Sequence, residues 1–396
     1  MSSAVNSSTL PAYPWQRQGF DPPMEFQSFA PVNPVRLPSG DTGWAVTGHR
    51  QARALLADPR LSADRLKAQV PAGRMNDPDA TVPPGMFILQ DPPEHTHYRR
   101  MLTGQFTVRR MQKLEPRVEQ IVAEQLDALA AAGSPADLVT HFALPVPSLV
   151  ICELLGVHYE DREHFQQLTK TMLAIDTTKE AGQSASAEIQ AFLAGLVAQK
   201  RTRPDDAIIS GLIQDTDLTD EELTNISVLL LIAGHETTAN MLSLGTFALL
   251  QNPEQLRLLR EKPELMPGAV EELLRYLSIV GSLGLSRLAI GDITIGEVTI
   301  RAGQTVLISL PAANRDPALT ENPNDLDVSR PRASHVAFGH GIHQCLGQQL
   351  ARTEMKIGYH HLLRRFPDLA LACEPHEVPL RSDMRIYGAH ALPVKW

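Results

Sequence analysis

The spacing of apolar residues along the chain predicts a mainly α-helical protein. From residue 99 to about residue 200, apolar positions recur at helical intervals, with breaks at 133–135 and near Gly156. The segment 346–366 repeats apolar residues at a similar spacing. By contrast, alternating isoleucine and valine residues flank a Gly-Glu turn within 293–300, a pattern typical of a β-hairpin. We therefore predict one compact, mainly α domain with a minor β portion.

A long segment in the middle of the sequence predicts a helix that is buried on all sides. Thr219 and Glu222 form the signature of a capping box at its start, and the run 226–233 is apolar on every face. The polar run Gly-His-Glu-Thr-Thr at 234–238 then interrupts the pattern. Burying an unpartnered polar group costs on the order of several kcal/mol. A threonine can back-bond to the carbonyl four residues earlier, but that bond does not account for the adjacent carboxylate of Glu236.

The first part of the sequence lacks such periodicity. Residues 1–15 are polar and rich in serine, and we predict a flexible N-terminal arm there, followed by a single domain over 16–396. Glycine, proline and asparagine within 72–85 predict a long irregular loop. Long loops without periodicity are usually functional or disordered.

Charge and cysteine content restrict the class of function. The 36 basic and 45 acidic residues give a formal net charge of -9, which argues against a nucleic-acid-binding surface. Three widely spaced cysteines, Cys152, Cys345 and Cys373, form neither a disulfide framework nor a C-x-x-C metal pair. No signal peptide is visible, and no apolar run is long enough to cross a bilayer. We expect a soluble, cytoplasmic protein that binds neither nucleic acid nor membrane.

One of the three cysteines stands in a distinctive glycine-rich segment. Cys345 lies in the run Phe-Gly-His-Gly-Ile-His-Gln-Cys-Leu-Gly at 338–347, at the start of the predicted C-terminal helix. A lone cysteine is most often a small buried apolar residue. At a helix N-terminus, however, backbone N–H groups and the helix dipole stabilise a thiolate, which can ligate a metal ion. The glycines suit a tight loop and let a flat macrocycle approach the backbone.

The motif Phe-x-x-Gly-x-x-x-Cys-x-Gly resembles the haem-binding loop of the cytochromes P450. The run Ala-Gly-His-Glu-Thr-Thr at 233–238 resembles the acid–alcohol motif of the distal helix in that family, and Glu-Leu-Leu-Arg at 272–275 resembles its Glu-x-x-Arg motif. The motifs occur in the family's order, and the resemblance covers residues 20–396. It implies the cytochrome P450 fold, a single large domain enclosing haem b, with Cys345 as the axial thiolate ligand of the iron.

The resemblance also implies roles for individual residues. Glu236 and Thr237 would be the catalytic pair that organises water and protons, and Ala233 and Gly234 would leave room for the macrocycle. The other residues implied to bind haem, including donors to its two propionates, are His95, Arg99, Arg287, Phe338, His343 and Gly347. A structural triad around the cysteine loop is implied for Glu272, Arg275 and Arg330. Candidates for the substrate pocket are Met86, Phe87, Ile88, Leu229, Ile232, Ala233, Leu283 and Ile386, although apolar stripes are more often core.

The implied activity is that of a haem-thiolate monooxygenase. Such an enzyme inserts one oxygen atom of O2 into a C–H bond of a hydrophobic small molecule, here a secondary metabolite or xenobiotic. The chain carries no flavin or nicotinamide fingerprint, so the expected electron donors are a ferredoxin and its NAD(P)H-dependent reductase, and we expect a monomer. The basic cluster Arg100, Arg109, Arg110 and Lys113 is either an ordinary solvated face or a docking patch for an acidic ferredoxin.

Two other functions fit parts of the sequence. A hydrogen peroxide-driven peroxygenase typically lacks the threonine that this chain carries at Thr237. A haem-binding sensor or carrier without turnover would have no need of the pair Glu236 and Thr237. One departure from related proteins, Gln18-Gly19 where they often carry Cys-Pro, touches no residue with a chemical role.

Overall fold

The computed structural model describes residues 9–64, 81–281 and 284–396. The α-helices are α1 (His49–Leu56), α2 (Glu94–Thr103), α3 (Val108–Ala132), α4 (Pro145–Leu155), α5 (Arg162–Leu173), α6 (Lys179–Thr202), α7 (Ile208–Asp215), α8 (Asp220–Gln251), α9 (Pro253–Glu261), α10 (Met266–Leu277), α11 (Leu310–Asn314) and α12 (Gln348–Arg365). The strands are β1 (Val32–Arg36), β2 (Thr42–Val46), β3 (Leu61–Ser62), β4 (Ala136–Asp137), β5 (Leu285–Ala289), β6 (Ile293–Ile295), β7 (Val298–Ile300), β8 (Thr305–Ile308), β9 (Ala370–Leu371) and β10 (Pro393–Lys395). The predicted fold class, mainly α with a minor β portion, is confirmed.

The central helix α8 organises the helical part of the fold. It packs against α4, α6, α10 and α12, and its 32 residues span about 48 Å at 1.5 Å per residue. Both hydrogen bonds of the predicted capping box form between Thr219 and Glu222. A helix with apolar residues on every face must be enclosed by other elements, and α8 is enclosed in this way. Among the described residues, no helix combines the length and apolar composition of a membrane span.

The largest sheet joins the beginning of the chain to the segment after residue 284. Its strand order is β1-β2-β8-β5-β3, with β2 and β8 parallel and the other neighbours antiparallel. Val46 and Ile308 are paired across the parallel ladder and are fully buried in a small apolar core of their own. The predicted hairpin is confirmed as β6 and β7. The sheet matters for the site because β5 carries Arg287.

The predicted N-terminal arm, residues 1–15, needs correction in its described part. Tyr13 N–H donates a hydrogen bond of 2.9 Å to the carbonyl of Arg36 in β1. Trp15 is buried and packs edge-on against Phe26 and Phe29. Burial of the indole ring removes a large apolar surface from water, so residues 9–15 are held against the sheet. The predicted loop 72–85 lies outside the described residues up to position 80.

Candidate active site

The loop that contains Cys345 is a tight turn held by its own backbone. Cys345 N–H donates to the carbonyl of Phe338 at 2.8 Å. Gly341 has a φ of 74°, and a Cβ there would lie 2.4 Å from the carbonyl oxygen of Leu56 in α1. Only glycine permits both that conformation and that approach. Helix α12 begins shortly afterwards at Gln348, so the cysteine stands next to a helix N-terminus as predicted.

The charges around Cys345 favour its thiolate, whereas burial opposes it. Burial raises the pKa of the Cys345 thiol, while the backbone N–H of Gly347 and the positive charges of Arg99 and Arg352 act to lower it. A Cβ added at Gly347 would contact no other atom, and the φ of -82° at this position is accessible to any residue. A bound metal ion is the further charge that deprotonates such a thiol.

The other two cysteines stand in different surroundings. Cys152 is fully buried within α4, and burial raises its pKa to about 12. Burial also raises the pKa of the half-buried Cys373, and the negative charges of Glu377 and Glu374 raise it further. Neither environment favours a thiolate, which leaves Cys345 as the cysteine suited to ligate a metal ion.

Most residues of α8 from its second turn onward are buried, but several residues on one side of the helix are partly exposed. Between positions 223 and 249 all residues are buried except Leu229, Ile232, Ala233, Gly234 and Thr237. Leu229, Ala233 and Thr237 follow each other at intervals of four, so they form a line along one face. Because neighbouring helices enclose α8, this exposure indicates open space inside the fold. We call this line of residues the open face of α8.

The residues on the open face and next to it have different surroundings. Thr237 Oγ1 donates a hydrogen bond of 2.9 Å to the carbonyl of Ala233, which is the back-bond considered from the sequence. Ala233 is exposed to the open space. For Gly234, in contrast, a Cβ would lie 2.7 Å from Cδ1 of Ile151 in α4. Gly234 therefore permits close packing of α8 on α4.

Glu236 is held by a cation that the sequence analysis missed. Its side chain is buried, and Oε2 lies 2.9 Å from Nη1 of Arg381. The same Nη1 donates to Oδ1 of Asn240 at 3.2 Å, and Asn240 Nδ2 donates to the carbonyl of Glu236 at 2.7 Å. A buried carboxylate requires a partner, which was a signal that some cation had to exist. Its identity depends on the fold, because Arg381 lies far along the chain.

The neighbouring His235 is a neutral residue of the core. Its Nδ1 lies 2.7 Å from the carbonyl of Leu231, and since a carbonyl only accepts, Nδ1 carries the proton. Its Nε2 faces Thr169 Oγ1 at 3.2 Å. Burial lowers the pKa of His235, although the charge of Glu236 opposes this shift. His235 therefore fixes the orientation of α8 without adding charge.

Three of the four residues expected to bind the propionates gather beside the Cys345 loop. The rings of His95 and His343 lie with centroids 4.2 Å apart. Arg99 Nη2 donates a hydrogen bond of 2.6 Å to the carbonyl of Gln344. Arg287 is also buried, but it lies on β5, where its Nη1 donates to the carbonyl of Ser286 at 2.9 Å.

His95 shows that the site fits an acidic group from outside the polypeptide. The residue is buried, and neither ring nitrogen has a hydrogen-bond partner among the described residues. An unsatisfied buried polar group costs about 1–3 kcal/mol, so a partner such as a haem propionate is expected. Burial and the charge of Arg99 lower the pKa of His95. The imidazole offers an N–H donor to such a partner.

The substrate-pocket candidates lie in several environments. Four of them are partly buried at the edge of the main core: Met86, Leu229, Ile232 and Ile386. Phe87 is buried in the main core, and its ring centroid lies 6.2 Å from that of His95. Ile88 is exposed. Leu283 lies outside the described residues.

The triad Glu272, Arg275 and Arg330 is a buried network and not a surface ion pair. Arg275 binds Glu272 through two hydrogen bonds of 2.7 and 2.8 Å, and Arg330 Nε donates to Glu272 at 3.1 Å. Arg275 Nη1 also donates to the carbonyl of Asn314 at 3.0 Å. The side chain of Asn314 accepts from Val336 N–H at 2.7 Å. A continuous series of hydrogen bonds thus joins the triad to the start of the Cys345 loop.

A second buried carboxylate, Glu271, was missed by the sequence analysis. Arg352 Nε lies 2.5 Å from its Oε1, and His335 Nε2 lies 3.2 Å from its Oε2. Burial acts to raise the pKa of Glu271, but the hydrogen bonds from His335 and Arg352 outweigh it and lower the value to about 2. Arg352 also stacks over the ring of Phe338, with Cζ 4.5 Å from the centroid. Glu271 therefore supports the Cys345 loop from α10.

The basic cluster is smaller than the sequence suggests. Arg100, Arg109 and Lys113 are exposed, and we call these three the basic patch. Arg110 is half-buried, and its Nη2 donates to the carbonyl of Asp206 at 3.0 Å. Arg110 therefore forms a contact within the protein and does not belong to the basic patch.

Comparisons with known proteins agree with this arrangement. A family model described as Cytochrome P450 matches residues 44–371. Cytochrome P450-SU2 of Streptomyces griseolus is 46% identical, over 99% of this chain and 96% of that protein. The Vitamin D3 dihydroxylase of the same organism is 44% identical, over 92% of this chain and 91% of that protein. A crystal structure of CYP105P1 in complex with filipin I has a TM-score of 0.91 and 44% identity, covering 98% of this chain and 99% of that one. The chain therefore belongs to the cytochrome P450 family and is a haem-thiolate monooxygenase that hydroxylates small molecules.

Proposed function

We propose that Cys345 is the axial ligand of the haem iron. The observation that carries this assignment is the loop itself, in which a half-buried sulfur accepts a hydrogen bond from the Gly347 N–H and stands in the field of Arg99 and Arg352. The bound haem supplies the redox chemistry that activates O2, and thiolate ligation favours cleavage of the O–O bond. The polypeptide binds and orients the haem and the substrate, and it supplies protons.

His95, Arg99, Arg287 and His343 are proposed to hold the haem propionates. Support comes from the unsatisfied ring nitrogens of His95 and from the proximity of Arg99 and His343 to the cysteine loop. An arginine supplies charge-assisted donors in a fixed fork, which suits a carboxylate. A neutral imidazole adds one N–H donor.

Glu236 and Thr237 are proposed to manage protons on the open face of α8. Thr237 uses its single O–H proton in the bond to the Ala233 carbonyl, which leaves the lone pairs of its oxygen free to accept from water. Glu236 is kept in place by Arg381. The two residues together provide an acceptor on the open face and an ionisable group directly behind it.

The proposed substrate is a hydrophobic natural product or xenobiotic that is hydroxylated at a C–H bond. The supporting residues are apolar and only partly covered by the core: Met86, Leu229, Ile232 and Ile386. Such lining removes apolar ligand surface from water and makes few directional demands. Among related proteins, one is named Vitamin D3 dihydroxylase, and CYP105P1 has been crystallised in complex with filipin I.

Electrons are proposed to arrive from a ferredoxin and its NAD(P)H-dependent reductase. The basic patch supports an acidic partner, since Arg100 follows Arg99, which contacts the cysteine loop. Complementary charge raises the rate of association more than it raises affinity.

The axial-ligand assignment is tested by the absorption spectrum of reduced protein with carbon monoxide. The wild-type protein should show the red-shifted band of thiolate ligation, and Cys345→Ser should abolish it. Cys152→Ser and Cys373→Ser are the matched controls and should keep the band. Retention of the band in the Cys345 variant would contradict the assignment.

A further inference from the structure

Arg17, which precedes the first strand, is a buried cation in contact with three parts of the chain. It is only 6% exposed, although arginines are rarely so fully buried. Its Nη1 donates a hydrogen bond of 3.2 Å to the carbonyl of Ser278 at the end of α10, and its Nη2 donates one of 2.6 Å to the carbonyl of Phe20. Its Cζ lies 4.4 Å from the ring centroid of Tyr387. One guanidinium thus joins the N-terminal part of the chain to two segments that are distant in sequence.

The guanidinium of Arg17 keeps its charge in these surroundings. Burial lowers the pKa of Arg17 to about 10, while Tyr387 acts to raise it. That value lies well above neutral pH. A buried charge is costly unless polar groups around it compensate, and here carbonyl oxygens and the face of an aromatic ring do so. The stability of the buried charge therefore depends on keeping these groups in a fixed arrangement.

The turn at residues 17–21 has further contacts of its own. Gly19 has a φ of 56°, a conformation that favours glycine. Its carbonyl accepts a hydrogen bond of 2.8 Å from the hydroxyl of Tyr387. The ring centroid of Phe20 lies 4.9 Å from that of Phe247 in α8. The turn is therefore anchored on the central helix and bonded to Tyr387 independently of Arg17.

Tyr387 belongs to a segment, 386–388, that lies against α8 beside its open face. At Gly388 an added Cβ would collide with Asn240, which lies less than one turn beyond the end of the open face. Ile386, a candidate for the substrate pocket, is partly buried at the edge of the main core. The N–H of Tyr387 donates a hydrogen bond of 3.1 Å to the carbonyl of Ile279. The segment 386–388 is therefore paired with the chain that leaves α10.

We propose that Arg17 is a positioning residue for the substrate, because it fixes the segment 278–281 relative to the segment 386–388 and so sets the shape of the pocket beside Ile386. The inference rests on the proposed substrate pocket. Arg17 and Tyr387 are both buried, so Arg17 acts through the backbone of these segments and not by contact with the substrate. Displacements of about 1 Å in the groups that hold a substrate are enough to change its binding and reaction.

The first test measures hydrogen exchange of backbone amides in the holoenzyme. Arg17→Met removes the donors and the charge but keeps a long apolar side chain. Exchange in 278–281 and 384–390 should rise roughly tenfold, because local opening of these segments becomes more frequent. The hairpin of β6 and β7 should exchange as in the wild type. Arg36→Met, at an exposed position of β1, is the matched control and should change neither segment.

Two outcomes of the exchange measurement would contradict the proposal. Unchanged exchange in both segments of Arg17→Met would show that Arg17 does not hold them. An equal rise throughout the chain, including the hairpin, would show that Arg17 contributes to global stability and has no particular role at the pocket.

The second test compares the binding of two haem ligands, imidazole and 4-phenylimidazole, by absorption spectroscopy. Both ligate iron through a ring nitrogen, but only 4-phenylimidazole carries a second ring that must enter the proposed pocket. In Arg17→Met the dissociation constant of 4-phenylimidazole should increase roughly fivefold, a size typical of coupled residues, while that of imidazole should stay close to the wild type. The ratio of the two constants does not depend on how much protein is folded or holds haem, so lost stability alone leaves it unchanged. A wild-type ratio would overturn the proposal.

Variants of Tyr387 test whether Arg17 acts through this residue. Tyr387→Phe keeps the ring and loses only the bond to Gly19, so its ratio should stay near the wild type, whereas Tyr387→Leu should match Arg17→Met. The double variant Arg17→Met with Tyr387→Leu should be no weaker than either single variant, because the two residues act as one unit. Effects that add would show independent roles and would contradict the inference.

Ile386→Ala separates failure of this inference from failure of the proposed substrate pocket. A wild-type ratio of dissociation constants in Ile386→Ala would contradict the pocket on this side of the site. An altered ratio in Ile386→Ala, together with a wild-type ratio and wild-type exchange in Arg17→Met, would retain the pocket and overturn the role of Arg17 alone.

Discussion

Arg99 in α2 donates a hydrogen bond of 2.6 Å to the carbonyl of Gln344, the residue before Cys345. Burial lowers the pKa of Arg99, and the negative charge of the Cys345 thiolate opposes this shift. The guanidinium remains charged, because an arginine does not lose its proton in proteins. One side chain thus positions the backbone of the loop and places a positive charge near the sulfur.

Replacement of Arg99 should weaken haem binding. Arg99→Ala removes the bond to Gln344 and the proposed donor to a propionate, each worth about 1.5–3 kcal/mol for a charged group. We expect haem affinity to fall at least about tenfold, measured as the haem-to-protein ratio after competition with apomyoglobin. Arg100→Ala, at the exposed neighbour, is the control and should retain haem. Full retention in Arg99→Ala would contradict the proposed role.

Replacement of Thr237 should uncouple the reaction without loss of haem. Thr237→Ala removes the hydroxyl from the open face of α8, so reducing equivalents should be diverted to hydrogen peroxide, with product per NADPH falling about tenfold. Thr237→Ser keeps the hydroxyl and should stay close to the wild type. The buried Thr238 offers a comparison. If Thr238→Ala were uncoupled and Thr237→Ala were not, the role would pass to Thr238.

The basic patch should control the rate of reduction by ferredoxin. Arg109→Glu with Lys113→Glu reverses two exposed positive charges and leaves the internal contact of Arg110 intact. The bimolecular rate at low salt should fall roughly tenfold, and its salt dependence should flatten, because screening acts on the same charges. Stopped-flow reduction measures both quantities.

Two controls accompany the patch variant. Lys179→Glu with Arg203→Glu makes the same change of charge at exposed positions near the ends of α6 and should leave reduction unaltered. Peroxide-driven turnover should be preserved in both variants because it needs no ferredoxin. An unchanged reduction rate in Arg109→Glu with Lys113→Glu would refute docking at the basic patch.

Glu271 should make stability depend on pH in the acidic range. The pKa of Glu271 is about 2 in the folded protein, below the usual value of 4.5. Its contribution to the free energy of unfolding is therefore fully present above the pKa of the unfolded state, and it is lost as pH falls through the pKa of the folded state. The shift corresponds to about 3 kcal/mol. Glu271→Gln should therefore be less stable at neutral pH, with a difference that narrows from about pH 4.5 towards about pH 2.

The measurement is denaturant unfolding of wild type and Glu271→Gln across that pH range. Glu115→Gln serves as control, because Glu115 forms a partly exposed pair with Lys356, and such pairs contribute about 0–1 kcal/mol. A stability difference for Glu271→Gln that stayed constant with pH would show that the carboxylate is not held by charge.

Several features of the fold were accessible from local sequence patterns. The capping box of Thr219 and Glu222, the hairpin of β6 and β7, and the helix after Cys345 all formed as predicted. Each depends on interactions between residues close in the chain, whose geometry is fixed by backbone hydrogen bonds and periodicity. Gly341, with a φ of 74°, is another position where the residue type follows from the local backbone conformation.

Other features were not accessible because the relevant neighbour is distant in sequence. Gly234 lies next to Ile151 of α4, which a Cβ at this position would contact. Phe87, a candidate for the substrate pocket, is buried near His95. Arg110 looked like part of an exposed cluster, but it donates to Asp206. In each case the sequence indicates which way a side chain points from its own element, but it does not show which residues of other elements pack against that side chain.

The sequence by itself determined the kind of site, because two short-range patterns each have few chemical uses. One is a cysteine between glycines before a helix, and the other is an acid and an alcohol in an apolar helix. The tertiary structure alone decided which groups support it. Arg381 pairs with Glu236, and Arg352 and Arg332 pair with Glu271, because burial makes an unpaired charge costly and the fold brings suitable cations to each carboxylate. The chain contains 36 basic residues, and only packing selects the arginines that contact these carboxylates.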